Sequence, residues 1–452
     1  MGGTPKQAPL ARGIPWLGSI PELAIRGFVP MLGDFWRANG DFWRMRMGPR
    51  NVFAFVHPDA MRHVFKDRRE NYVKGEAYDG FRLIVGDGLI TLEGEAWAHR
   101  RRAAAPAFHR SSIEVLAPIF VDRATAFVER LRRRDEKNAP FDALAEMTRL
   151  TMDIAGRALF SVALDDSDSS AHALTAALEV ANARGNTALA FPLEVPTPSN
   201  LRMRRALGIL DEKMLAIVDH VRAQTSNERG KSVLDALSRF VDPDTGDKLD
   251  RRALRNEVVT FFIAGHETTA LTLAWTLALL ADAPDAVERL AEEVRSEFGD
   301  GPLHYDGLER LRYGRAVLDE SMRLRPAVWC FARNTLEDDE ICGYELKAGS
   351  MVMPLPLFTH RHPGFWESPL RFRPERFLDG SDAARHPFAF VPFATGPRAC
   401  VGMHFAQIEM LAGLAAVVRA MRFTRTDRDT IGLDGQVTLR PTKRVMITPT
   451  FR

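Results

Sequence analysis

Phe393-Ala394-Thr395-Gly396-Pro397-Arg398-Ala399-Cys400-Val401-Gly402 sets one cysteine immediately ahead of an apolar helical run, Phe405 to Val418. Gly396 and Gly402 permit tight turns and close backbone approach. Arg398 supplies a cation that stays charged and can hold a carboxylate. A cysteine at the mouth of a helix faces backbone amides without intrahelical partners, an environment that favours the thiolate. The stretch therefore predicts a reactive or metal-binding sulfur; the competing reading of a lone cysteine is a small buried hydrophobe.

The rest of the chain sets the scale. Its 452 residues allow more than one domain, and 46% hydrophobic residues suffice for a large core. Sixty-one basic and 59 acidic side chains leave a formal charge of +2, which argues against a global electrostatic claim on nucleic acid or anionic membrane. Three cysteines, Cys330, Cys342 and Cys400, fit a reducing compartment better than a disulfide framework, and the first two read as ordinary thiols. Pro5, Pro9, Pro15 and Pro21 interrupt the N-terminal region, which shows neither a signal-peptide core nor a membrane-spanning run. A soluble, cytoplasmic monomer without a membrane anchor is expected.

No repeat, low-complexity block or Gly/Ser linker divides the sequence, so residues 1–452 read as one domain. Phe42 to Met47 and Asn51 to His57 are expected strands around the turn Gly48-Pro49-Arg50, and Pro58-Asp59 opens a helix. Helical patterns dominate from Glu95 to Phe298, with breaks at Asp165–Ser170 and Asp242–Asp247. Further strands are expected at Ser350 to Pro354, Gln436 to Leu439 and Val445 to Thr448. The pattern predicts a mainly α fold with a small β region assembled from distant segments.

The cysteine stretch resembles the F-x-x-G-x-R-x-C-x-G loop of the cytochrome P-450 superfamily of haem-thiolate monooxygenases, matching at Phe393, Gly396, Arg398, Cys400 and Gly402. Further matches run from Trp97 to Gly402 and cover most of the chain. The resemblance implies one triangular, mostly helical domain with haem b (iron protoporphyrin IX) between two long helices and Cys400 as the iron ligand. It also implies that Trp97 and Arg101, one helical turn apart, join Arg333 and Arg398 around the haem propionates. His99 is a further candidate at that face, with a surface role equally open. Glu320-Ser321-Met322-Arg323 resembles the family's E-x-x-R element, and Arg376 the third member of its salt-bridge cluster. An exposed i,i+3 pair contributes only about 0.2–0.5 kcal/mol, whereas breaking a buried cluster costs about 3–5 kcal/mol.

Val258 to Leu280 is apolar enough to suggest a membrane span, but Gly265-His266-Glu267-Thr268-Thr269 interrupts it with groups costly in lipid. A buried helix that opens locally at a pocket fits better. Ala264-Gly265-His266-Glu267-Thr268-Thr269 matches the family's A-G-x-E/D-T-T element. On that resemblance Thr268 positions dioxygen and a proton-donating water, and Glu267 feeds the relay, a type of catalysis typically worth ~10²–10⁴-fold in rate. Two satisfied polar side chains and a buried acid form the competing reading. One oxygen atom is expected to enter the substrate, by hydroxylation or epoxidation, and the other to leave as water.

By family position, Tyr78, Phe81, Leu89, Phe262, Ala264, Val328, Trp329 and Phe331 line an apolar pocket for a lipophilic substrate, though each side chain alone also fits plain core. The segment Lys74 to Arg102 resembles fatty-acid-oxidising branches, with terpenoid, steroid and aromatic substrates open. The sequence ends about fifty residues after Cys400, so a fused reductase is not expected. Electrons would come from NAD(P)H indirectly, through a ferredoxin or flavodoxin with its reductase. Arg100, Arg102 and Arg110 are candidates for a docking patch, or for simple solubility. A peroxide-driven peroxygenase and a non-catalytic haem sensor or carrier are the alternatives; the presence of Glu267 and Thr268 argues against the first.

Overall fold

The computed structural model describes residues 6–134, 138–164, 173–174, 176–177, 179–181, 192–224, 232–380, 384–427 and 429–452. The expected break at Asp165–Ser170 lies outside the described residues. The chain forms two compact units, each made of separated segments: Met1–Asp79, Asp319–Cys400 and Ile431–Lys443 in one, Gly80–Leu318, Val401–Thr430 and Arg444–Arg452 in the other.

The first unit carries a five-stranded sheet in the order Phe42–Met47, Arg50–Phe55, Met351–Pro354, Arg333–Thr335, Tyr72–Val73. Only the second and third of these run parallel; the other neighbours are antiparallel. Alternating side chains put Phe42, Phe53, Phe55 and Val352 into one core and Trp43, Met45, Val52 and Ala54 into another, as the two-residue period of a strand requires. The Pro58–Arg62 helix begins where expected and passes into a π-helical turn, His63–Asp67. The C-terminal hairpin departs from the sequence expectation. Its strands are Leu433–Gly435 and Leu439–Pro441, and Gln436 lies in the turn, with its carbonyl accepting from Trp329 Nε1 at 2.7 Å. A distant tryptophan thus fixes the register that local propensity misplaces.

The second unit is helical. Arg251–Ala281, 31 residues and about 46 Å long at 1.5 Å per residue, starts at Asp250, whose side chain accepts the Ala253 amide at 2.6 Å. Ala143–Phe160 packs along it: Phe160 and Phe262 meet edge to face at 6.5 Å, and Thr151 Oγ1 donates to His266 O at 3.0 Å. Gly94–Ala104, Arg110–Arg132, Pro198–Ala223, Pro284–Phe298 and Met403–Ala420 complete the main helices. A small sheet places Met446–Phe451 between Phe141–Asp142 and Met421–Arg425. Among the described residues no single helix is long and apolar enough to cross a membrane.

Candidate active site

In the first unit, the loop before Cys400 is tied by its own backbone. The Cys400 amide donates to Phe393 O at 2.9 Å, Ala399 N to Gly396 O at 3.0 Å and Ala394 N to Val391 O at 3.1 Å. Gly396 has φ +70°, and a Cβ there would stand 2.4 Å from Phe65 O, so no other residue fits without moving backbone. Gly402 is under no such constraint. Its φ is −90° and a Cβ would make ordinary contact with Phe108, so it serves as the N-cap of Met403–Ala420 without a side chain to occupy the first amides. Cys400 itself is solvent-exposed. Cys342 sits at a hairpin turn, and burial pushes the Cys330 thiol up to about 12, which leaves it inert.

Arg333 is the informative cation. It is 7% exposed, donates to Tyr78 Oη at 3.0 Å and to Ala332 O at 2.7 Å, and lies 5.7 and 5.8 Å from the Phe65 and Tyr78 ring centroids. Among the described residues no carboxylate pairs with it. A buried cation in an aromatic niche is costly without an anion, so the niche is suited to receive a carboxylate group of a bound cofactor. Arg398 is half-buried on the turn that precedes Cys400.

Behind the loop stands a fully buried polar cluster. Glu320 Oε2 accepts from Arg323 Nε at 2.6 Å, and Glu320 Oε1 accepts from Arg323 Nη2 at 2.9 Å, Arg376 Nε at 3.1 Å and the Arg373 amide at 2.8 Å. Arg323 also donates to the carbonyls of His360, Pro369 and Arg371. Two residues absent from the sequence reading complete it. Trp366 lies under the guanidinium groups of Arg323 and Arg385, at 4.9 and 3.9 Å. His360, wholly buried, accepts the Val391 amide on Nε2 at 2.9 Å, just before the cysteine loop. Burial, aided by nearby Arg323, lowers the His360 pKa to about 3, so the ring is neutral as that acceptor role demands. No local sequence signal marks either residue; both act through contacts far along the chain.

In the second unit, Trp97 and Arg101 stand one turn apart on Gly94–Ala104, both half-buried. The neighbouring arginines do not form the expected free patch. Arg100 is 11% exposed and pairs with buried Glu257 at 2.7 Å, Arg102 pairs with Asp242 at 3.0 Å, and Arg110 pairs with Glu309. His99 likewise turns to Asp242, at 3.1 Å. These acids are distant in sequence, so the charge run alone could not reveal them.

Arg251–Ala281 runs unbroken through Gly265–Thr269, without the local opening expected there. Thr268 Oγ1 donates to Ala264 O at 2.7 Å, so the hydroxyl is accommodated on the helix without disrupting it. Ala264 is exposed, and Thr268, one turn on, shares its face. Glu267 is 8% exposed. Of the expected pocket side chains, Tyr78, Phe81, Val328 and Phe331 are half-buried, and Phe331 meets Phe65 at 5.0 Å. Phe262 and Trp329 pack into the interior. Phe262 is fully buried against Phe160 and His266, and Trp329, 2% exposed, is clamped by Phe28 and Gln436. Leu89 is buried too, at 8% exposure.

Cys400 on its tied loop and buried Arg333, without a carboxylate partner among the described residues, thus lie in the same unit. The sequence model of the family described as Cytochrome P450 matches residues 8–449. Cyclooctat-9-en-7-ol 5-monooxygenase of Streptomyces melanosporofaciens is 30% identical over 438 residues, 93% of this chain and 92% of that protein. Cyclooctatin synthase of the same organism is 31% identical over 387 residues, 85% and 83% of the two chains. Protein LUTEIN DEFICIENT 5, chloroplastic, of Arabidopsis thaliana is 28% identical over 427 residues, 90% and 71%. The chain belongs to the cytochrome P450 family, and its helical body with small sheets is that family's fold.

Proposed function

We propose that this cytochrome P450 monooxygenase holds haem b through Cys400 and inserts one atom of dioxygen into a lipophilic substrate, by hydroxylation or epoxidation. The observation that carries the reading is the built cysteine loop in the same unit as buried Arg333, which has no carboxylate partner among the described residues. Phe393, Gly396 and Gly402 shape the loop; Arg333 and Arg398 are the propionate cations of the first unit, and Trp97 and Arg101 are the second unit's own candidates for propionate contact. Bound haem supplies the dioxygen chemistry that side chains lack. Thr268 holds a hydroxyl on the open face beside Ala264, where it orients a proton-bearing water, and Glu267 replenishes the proton. Glu320, Arg323 and Arg376 keep the cysteine loop in place without touching reactants.

Half-buried Tyr78, Val328 and Phe331 in the first unit, and half-buried Phe81 and exposed Ala264 in the second, are each unit's apolar candidates for substrate contact. Two relatives of about 30% identity come from one Streptomyces species, and one is named for an alkenol. Cyclic alkenols and related terpenoids are therefore the first class to screen, ahead of fatty acids. Residues 1–452 are read as one catalytic domain of a cytoplasmic monomer. Its electrons come from a ferredoxin or flavodoxin whose reductase draws on NAD(P)H.

The decisive experiment is the difference spectrum of the dithionite-reduced protein with and without carbon monoxide, repeated for Cys400→Ser. A strongly red-shifted Soret band in the wild type and its loss in the variant are expected. A histidine-type band in both proteins would overturn the ligand assignment.

A further inference from the structure

Glu257 lies on Arg251–Ala281, ten residues before Glu267, and plays no part in the chemistry above. Its side chain is wholly buried. One oxygen, Oε1, accepts from the Leu89 amide at 2.9 Å and from Arg100 Nη1 at 2.7 Å, while Arg100 Nη1 also reaches Ala253 O at 3.3 Å. The other oxygen, Oε2, has no hydrogen-bond partner among the described residues, and neither does Thr260 Oγ1 one turn further on. A single carboxyl oxygen thus fastens two elements to the long helix: Gly94–Ala104, which carries Trp97 and Arg101, and the turn that contains Leu89.

That turn is built for the attachment. Thr91 Oγ1 accepts the Gly88 amide at 3.2 Å and donates to Gly86 O at 2.6 Å. Gly88 approaches so closely that a Cβ there would lie 2.1 Å from Thr260 Oγ1. On either side of that bond, Arg255 of the same long helix donates to Ile84 O at 2.9 Å, just before the turn, and Arg82 donates to Thr91 O at 3.2 Å, so among the described residues Glu257 is the carboxylate that holds the turn at its centre. Around Glu257, the facing charged group on Gly94–Ala104 is Arg100, since His99 and Arg102 are engaged with Asp242. The turn's own acid, Asp87, is exposed.

We propose that Glu257 is a positioning residue for the substrate-side turn: uncharged, it fastens Gly86–Leu92 and the Trp97 helix to Arg251–Ala281, and ionisation of its carboxyl favours release of the turn. The half-satisfied carboxyl is the physical reason. A carboxylate with one bare buried oxygen gains more from reaching water than a neutral acid does. Burial raises the Glu257 pKa to about 7, with Arg100 and the Leu89 amide offsetting part of the rise. Once the turn opens, the carboxyl returns to its ordinary value near 4.5. The open state therefore binds fewer protons, and rising pH favours opening. Leu89 is carried with the turn, so opening changes access to the proposed substrate face.

The test is amide hydrogen exchange over residues 86–92, corrected for intrinsic pH dependence, in haem-loaded wild type, Glu257→Gln and Glu257→Asp. In the wild type the opening equilibrium should rise about tenfold between pH 6 and pH 8, while Glu257→Gln stays closed and pH-independent. Substrate-induced Soret shifts in stopped flow should show the same split, with association accelerating with pH in the wild type alone. The inference rests on the monooxygenase reading, but the exchange measurement does not need turnover, and the carbon monoxide spectrum tests the haem-thiolate reading separately. Should Glu257→Gln not fold, the wild-type pH profile and Glu257→Asp decide the matter. Exchange that is flat with pH in the wild type, or that slows as pH rises, overturns the proposal.

Discussion

Arg333 is a buried cation whose niche contains the Phe65 ring, the Tyr78 phenol and its neighbour's carbonyl, with no carboxylate among the described residues. On the proposed role, such a guanidinium is destabilising in the haem-free protein and becomes favourable when a propionate binds. Arg333→Leu should therefore leave the haem-free protein at least as stable as wild type in thermal melts. Haem transfer to an acceptor protein should accelerate about 10–100-fold, the equivalent of losing one charge-assisted hydrogen bond of about 1.5–3 kcal/mol. Faster unfolding of the haem-free variant would count against the role. Arg333 was legible in the sequence only through the family resemblance. Its isolation from acids, which gives the argument its force, belongs to the folded chain. Cys400 is the opposite case, since adjacent residues build its loop and the sequence contains the whole device. The burial of Phe262 and Trp329 was not legible, because an aromatic residue near a pocket motif does not declare which way it faces.

At the scale of elements, the long helix was legible and its interior was not. Polar residues in the middle of an apolar run suggested a local opening, yet Thr268 returns its hydroxyl to Ala264 O and the helix stays continuous. The same bond places the hydroxyl on the open face beside Ala264. Thr268→Ala keeps the helix and removes the hydroxyl, so reductant consumption should continue while product formed per reducing equivalent falls by about a hundredfold, the lower range for a lost proton-transfer group. Unchanged coupling would remove Thr268 from the proton route. Arg100, Arg102 and Arg110 teach a related lesson about helices. Three arginines on a short stretch looked like a surface patch, and each found an acid supplied by another segment: Glu257, Asp242 or Glu309. A charge run in sequence does not reveal its net field until the partners are placed.

Across the whole molecule, the two units hold buried titratable groups of opposite effect. His360, in the unit with the sheet, has its pKa depressed from 6.5 to about 3. Its contribution is present above pH 6.5 and is lost as pH falls towards 3. Glu257, in the helical unit, has its pKa raised from 4.5 to about 7. Its contribution is present below pH 4.5 and is lost as pH rises through 7. Between pH 5 and pH 8 each group shifts stability by about 2–3 kcal/mol at 1.36 kcal/mol per pKa unit, in opposite directions. Because the units are woven from alternating chain segments, neither can unfold as a contiguous piece, and both linkages should act on one cooperative transition. Glu409, wholly buried and likewise pushed up by burial, adds to the Glu257 side, so the wild type should melt lower as pH rises from 5 to 8. His360→Gln keeps an acceptor for the Val391 amide but does not titrate, so its melting temperature should fall more steeply than that of the wild type. Glu257→Gln should fall less steeply than the wild type. Parallel pH profiles for the two variants would show that these buried groups do not oppose one another, and two separate transitions would show that the interleaved units unfold apart.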